Sequence, residues 1–314
     1  MRTVRPSKQA GIALVLVLWV LVLLAAMAVS VAYSQRLELA MAANFKEERE
    51  ARALVEAGIE FMVLQVLSQW GQPEPEDWRA DGMVRPWSFG GRTIGVAAAP
   101  ETARIDINMA MPEQFDALFK SVGLEDAEAQ RLRDVILDWR DGDDQHLLHG
   151  AEDPEYRRAG LPYGAKDGNF ETVEELRQLL DMTPEIYSRI APALTVYSAR
   201  RTVNPFYAPP QVLAALPGMT DAELHAYLQL RTYNMQHNLP VPFPNGVNPI
   251  YLEQGQIPIY RIYAETALSG GGKVRGEAVV NIGPSGQTRY QVLERGYAPL
   301  GAPAGGSVET DRER

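Results

Sequence analysis

The chain contains no cysteine, which removes disulfide frameworks, thiolate metal sites and cysteine nucleophiles from consideration. It also lacks an excess of positive charge: 30 Lys+Arg against 40 Asp+Glu leave a net charge of -10. Nucleic-acid affinity is built mainly on neutralising phosphates, so a DNA- or RNA-binding role would have no electrostatic footprint. No G-x-S-x-G, P-loop or Rossmann fingerprint occurs in the strand-turn-helix context each requires, and catalysis is not expected. From Tyr33 to Gln69 there is no proline and only one glycine, Gly58, so nothing interrupts a helix there.

What is present begins with Arg2, Arg5 and Lys8, followed by Ile12 to Ser34, 23 residues without a charge. At about 1.5 Å per residue such a helix exceeds the ~30 Å hydrocarbon core of a bilayer. The positive-inside tendency leaves the basic end cytoplasmic and sends the remainder across. A cleaved signal peptide, cut near "VSVA", is the competing reading, but its apolar region should be about 7–15 residues long. Beyond the membrane run the helix is expected to continue, with Leu54, Ala57, Phe61, Leu64 and Leu67 as the apolar face that lies on a sheet or on helices.

"RTIGVAAAP" and "ARIDIN" read as short strands, and Pro112–Phe119 and Asp126–Trp139 carry helical periodicity. Thr172 with Glu175, and Thr220 with Glu223, form capping-box patterns; Thr183 before Pro184 reads as N-cap and first helical residue. From Ile257 the pattern turns to alternating strands, with "SGGGK" and "GPSGQ" as hairpin turns. Arg104–Glu128 and Arg201–Glu223 share an order of Asn, Pro, helix, Gly turn and acidic helix start, which suggests a diverged repeat. These units resemble helix-hairpin-helix modules, which would imply DNA binding, although "LPGM" is followed by Asp221 and Glu223 and has no basic cluster beside it.

The densest charge lies between Asp138 and Arg157, with seven carboxylates against two arginines. Such a run repels itself unless a cation neutralises it, and a hard cation with oxygen ligands such as Ca²⁺ fits. The candidate ligands are Asp138, Asp141, Asp143, Asp144, Glu152 and Asp153, with Asp167 and Asn169 as further donors. Counted from Asp141, Asp143 is third and Glu152 twelfth, as in an EF-hand, but His146 stands where the sixth-position glycine belongs. Pro154 sits where the exit helix would begin, which argues for a different loop geometry. A solvated acidic surface is the plain alternative. His146 and His149 in "HLLH" raise a zinc hydrolase, which needs a third protein ligand and an open position.

"KQAGIALVLVLWVLVLL" resembles the class III leader of type IV pilins and type II secretion pseudopilins. That resemblance implies cleavage by a prepilin peptidase between Gly11 and Ile12 and methylation of the new N-terminus. Ordinary members carry Glu at the fifth mature position, where this chain has Leu16. The minor pseudopilin K family is known for lacking that Glu, as suits a tip subunit with no neighbour above it. "ILDWRDGDDQ", "ETVEELRQLLDMTPEIYSRIAPALTVYS", "VNPFYAPPQVLAALPGM" and "IYRIYAETALSGGGKVRGEAVVNIG" are similar to the same family.

The resemblance implies an α+β, pilin-like fold with a long N-terminal transmembrane and amphipathic helix, an antiparallel sheet and a large all-helical insertion. The expected layout is a leader at 1–11, a helix at 12–70 with 12–34 in the membrane, a sheet domain from 71–105 and 246–297, an insertion at 106–245 and a tail at 298–314. A structural Ca²⁺ in the insertion is implied as well. So are a non-enzymatic role at the tip of the pseudopilus and a single-pass inner-membrane location with the globular part in the periplasm. The partners implied are the I- and J-type minor pseudopilins, the major pseudopilin, the prepilin peptidase and the inner-membrane assembly platform.

Overall fold

The structure is a computed structural model that describes residues 10–69, 78–237, 239–255, 257–283, 289–298 and 309–310. Most of the expected leader and tail and of the "GPSGQ" turn lie outside these residues. The chain forms two compact units, Met1–Ala51 and Arg52–Arg314.

One helix, α1 (Ala10–Gln69), runs through both, as the absence of breakers requires. In the first unit, residues 14–36 are exposed on every side, including Leu16, Trp19 and Leu23. A helix apolar all round that buries no face in its own chain needs another apolar medium, and this one is long and apolar enough to cross a membrane.

In the second unit the lower turns of α1 lie on an antiparallel sheet of six strands, β1 (Arg85–Phe89), β2 (Arg92–Pro100), β5 (Ile259–Ala267), β6 (Lys273–Asn281), β7 (Gln291–Ala298) and β8 (Glu309–Thr310), ordered β1-β2-β5-β6-β7-β8. The buried face of α1 is Val55, Gly58, Ile59, Met62, Val63 and Val66. This corrects the expected face, since Leu64 is 61% exposed and Leu54, Ala57, Phe61 and Leu67 are only half-buried. The helix is apolar on two sides here, and the sheet takes the side with the smallest residue. A Cβ at Gly58 would stand 3.0 Å from side-chain carbons of Ile94, Val96 and Ala264. Gly58→Val should therefore push helix and sheet apart at a cost of about 1–3 kcal/mol, measured by thermal unfolding, whereas Leu64→Ala should be nearly silent.

Phe61 instead flanks the sheet, its ring stacked on Trp87 at 4.3 Å, with Trp87 on Phe89 at 4.9 Å. Glu56 and Glu60 on α1 pair with Arg295 on β7 at 3.0 and 2.8 Å.

Between β2 and β5 the chain leaves the sheet and folds as a mostly helical block: α2 (Pro112–Ser121), α3 (Asp126–Arg140), α4 (Asp153–Arg158), α5 (Pro184–Ile190), α6 (Pro210–Ala214) and α7 (Asp221–Gln236). "ARIDIN" does not join the main sheet. Its β3 (Ile105–Asp106) pairs in parallel with β4 (Leu194–Thr195), so the block carries a small sheet of its own. Phe115, Phe119, Leu132, Ile136, Leu176 and Ile190 fill its core.

The two similar segments fold alike, each a Pro-started helix, a Gly turn and a second helix with acids in its first turn. Each is also held by an arginine from the second helix. Arg140 donates to the carbonyls of Ile107 and, at 2.8 Å, Ala110; Arg231 donates to Pro205 and Ala208 at 2.8 and 2.7 Å.

Sheet and insertion meet at a buried ionic cluster. Arg261 on β5 donates to Glu101 at 2.8 Å and to Glu277 at 3.0 Å, with Glu294 at 3.8 Å.

Candidate metal-binding loop

The acidic segment starts where α3 ends, and two aspartates one turn apart on α3 prepare it. Asp134 and Asp138 are both buried. Neither was singled out as a pair in the sequence, although i,i+4 spacing places them on one face. Asp134 Oδ2 accepts the His149 N–H at 3.2 Å, and Asp138 accepts the Leu147 N–H at 3.1 Å on both oxygens. Residues 147–149 are thereby strapped to the helix.

Asp141 caps α3 through its N–H to the Leu137 carbonyl at 3.1 Å. Asp143 turns back on its own loop and accepts the Gln145 N–H at 2.9 Å, while Asp144 is exposed. Glu152 is only 3% exposed. Its Oε1 and the Oδ1 of Asp141 are buried and accept no hydrogen bond, a costly state for carboxylate oxygens. Around Glu152 lie the like charges of Asp138, Asp167, Asp141 and Asp144. Asp167 enters from a separate segment with a left-handed backbone, φ 52°. Asp153 is drawn away by Arg157, and Asn169 is exposed.

Pro154 does not prevent a helix after the loop. α4 begins at Asp153 with the proline in its first turn, where the missing N–H has no partner to lose. Among the described residues no group of three or more His, Asp or Glu side chains converges closely enough to hold an ion as it stands. His146 and His149 are both exposed.

Burial, and then Asp138, Asp167, Asp141 and Asp144, push the Glu152 carboxyl up to about 7. Burial also pushes Asp138 up to about 6, against the pull of the Leu147 and Ala151 N–H groups. A carboxyl raised in the folded state binds more protons there than when unfolded. Its stabilising contribution is full below the ordinary carboxylate range and is lost as pH rises through 6–7. In chelator, the thermal midpoint of the insertion should thus fall between pH 5 and pH 8, and Glu152→Gln should flatten that slope.

The second hairpin turn leaves little room for a phosphate. A Cβ on Gly218 would lie 2.3 Å from the Gly246 carbonyl oxygen, so the chain's own backbone covers that turn, with Glu223 beside it.

An apolar helix laid on an antiparallel sheet that is interrupted by a helical block defines a pilin-like protein with an insertion. The same fold occurs in a chain of the crystal structure of the GspK-GspI-GspJ complex from enterotoxigenic Escherichia coli. The TM-score is 0.57 and the identity 13%, over 81% of this chain and 97% of that one. Residues 97–199 match the family described as "Type II secretion system (T2SS), protein K". Type II secretion system protein K of Pectobacterium carotovorum subsp. carotovorum is 24% identical over 268 residues, 77% of this chain and 81% of that protein. Its Pseudomonas aeruginosa counterpart is 27% identical over 227 residues, 66% of this chain and 68% of that protein. These likenesses relate the chain to the type II secretion system protein K family.

Proposed function

We propose that this minor pseudopilin caps the tip of a periplasmic pseudopilus and helps start its assembly for the export of folded proteins. The observation that carries the reading is a membrane-length helix continuous with a pilin-like sheet that bears a bulky insertion between β2 and β5. Such an insertion suits a subunit with none stacked above it. The helix is held in the inner membrane until it bundles with the helices of I- and J-type minor pseudopilins and, below them, the major pseudopilin. The assembly platform receives it there, and the role is structural rather than catalytic.

The insertion holds a Ca²⁺ in this reading. The orphaned oxygens of Glu152 and Asp141 fit a hard cation, with Asp138, Asp144 and Asp167 adding negative charge around them. The ion would supply charge neutralisation and hold the loop closed.

Before assembly the prepilin peptidase cuts between Gly11 and Ile12, both of which fall in the first turn of α1. The processed chain then loses Arg2, Arg5 and Lys8, and its formal charge moves from -10 to -13. Intact-mass measurement of the membrane form should give a chain starting at Ile12, and Gly11→Ala should leave it uncut. A start near Tyr33 would mean an ordinary signal peptide and would overturn the pseudopilin route.

A further inference from the structure

The acidic side chains of the loop divide by what their oxygens already touch. Asp138 is fully buried, and both its oxygens accept the Leu147 N–H. It also rests on Gly150 so closely that a Cβ there would lie 1.8 Å from Oδ2. Gly150 does not have a positive φ, so contact with this carboxylate, not backbone conformation, demands the glycine. Asp134 likewise receives the His149 N–H. Glu152 is the opposite case: a side chain 97% buried, surrounded by like charges, with Oε1 unpartnered.

We infer that Asp134, Asp138 and Gly150 are positioning residues that pre-fold the loop on α3, and that Glu152 and Asp141 are the side chains that meet the ion directly. This rests on the calcium reading above and removes Asp138 from the ligand set that the sequence suggests. The physical logic is that a carboxylate whose two oxygens already accept a backbone N–H has less to offer a cation, whereas an orphaned one gains most from it. The seat at Gly150 fixes Asp138, Asp138 fixes residues 147–151, and these present Glu152.

Eu³⁺ luminescence lifetimes in H₂O and D₂O count the waters on a bound ion, and Ca²⁺ displacement certifies the site. The full-length chain in detergent is the material. Glu152→Gln should gain inner-sphere water at saturation. Asp138→Asn and Gly150→Ala should bind about 10–100-fold more weakly with the water count unchanged. Extra water in Asp138→Asn, or natural affinity in Gly150→Ala, would overturn the assignment. If the natural chain takes up no Ca²⁺-displaceable Eu³⁺, the calcium reading itself fails. The seat is still decided by the ion-free midpoints. Gly150→Ala should lower the midpoint in the natural chain but not in an Asp138→Ala background, and equal lowering in both would refute it.

Discussion

Replacing Arg261 by Met is expected to cost about 3–5 kcal/mol of stability, because it strands a buried charge instead of removing one. Glu101 is 0% exposed and takes its hydrogen bonds from Arg261 at 2.8 Å and from the Thr195 hydroxyl. Burial alone would raise its carboxyl, but the charges of Arg261 and Arg104 and these hydrogen bonds hold it below the ordinary 4.5. Without the guanidinium, Glu101 must either protonate or draw water into the junction, and Glu277 and Glu294 lose the same partner. Adding Glu101→Gln should return part of the loss, which separates the stranded charge from lost packing. A lowered carboxyl contributes stability above 4.5 that disappears as pH falls through its folded value. The natural chain should therefore show this contribution fading on the acid side, and Arg261→Met should not. Equilibrium denaturation at pH 7 and pH 4 measures both effects.

The second large effect is ionic. With Ca²⁺ a hundredfold above its dissociation constant, the folded insertion should gain about 2.7 kcal/mol, or about 5–10 °C in midpoint for a unit of this size. Glu152→Gln should remove most of the gain at that calcium concentration and, because it removes one of the mutually repelling charges at nearly constant volume, should raise the ion-free midpoint at pH 8 above that of the natural chain. Opposite signs in the presence of calcium and of chelator are hard to produce by a packing defect. Thermal unfolding of the detergent-solubilised chain with calcium, magnesium or chelator reads them directly. Identical midpoints in all three would make the segment a solvated acidic surface.

Local chemistry made much of this fold legible. The unbroken α1, the Thr183–Pro184 start of α5 and the Thr220–Glu223 box heading α7 are written in short-range residue types, and each stands where the pattern put it. The Thr172–Glu175 box was equally clear, but it opens a 3-10 turn rather than an α-helix. Features set by distant contacts were not readable. Which apolar side of α1 meets the sheet depends on Gly58 fitting against Ile94, Val96 and Ala264, residues from strands far along the chain. β1 was missed because "RPWSF" is five residues with a proline at the sheet edge. At the loop, composition gave the acidic side chains, but a charge count cannot say which oxygens are already occupied. The parts of Asp134 and Gly150 come from the backbone N–H of His149 and the carboxylate of Asp138, which no spacing rule connects.

The proposed function requires this chain to assemble with other minor pseudopilins at the tip of a fibre. Co-expression of the full-length chain with I- and J-type pseudopilins, followed by affinity capture in detergent and size-exclusion chromatography, tests it most directly. A single complex containing all three is the result expected here. Elution of this chain alone, with calcium present and with every partner combination, would contradict it.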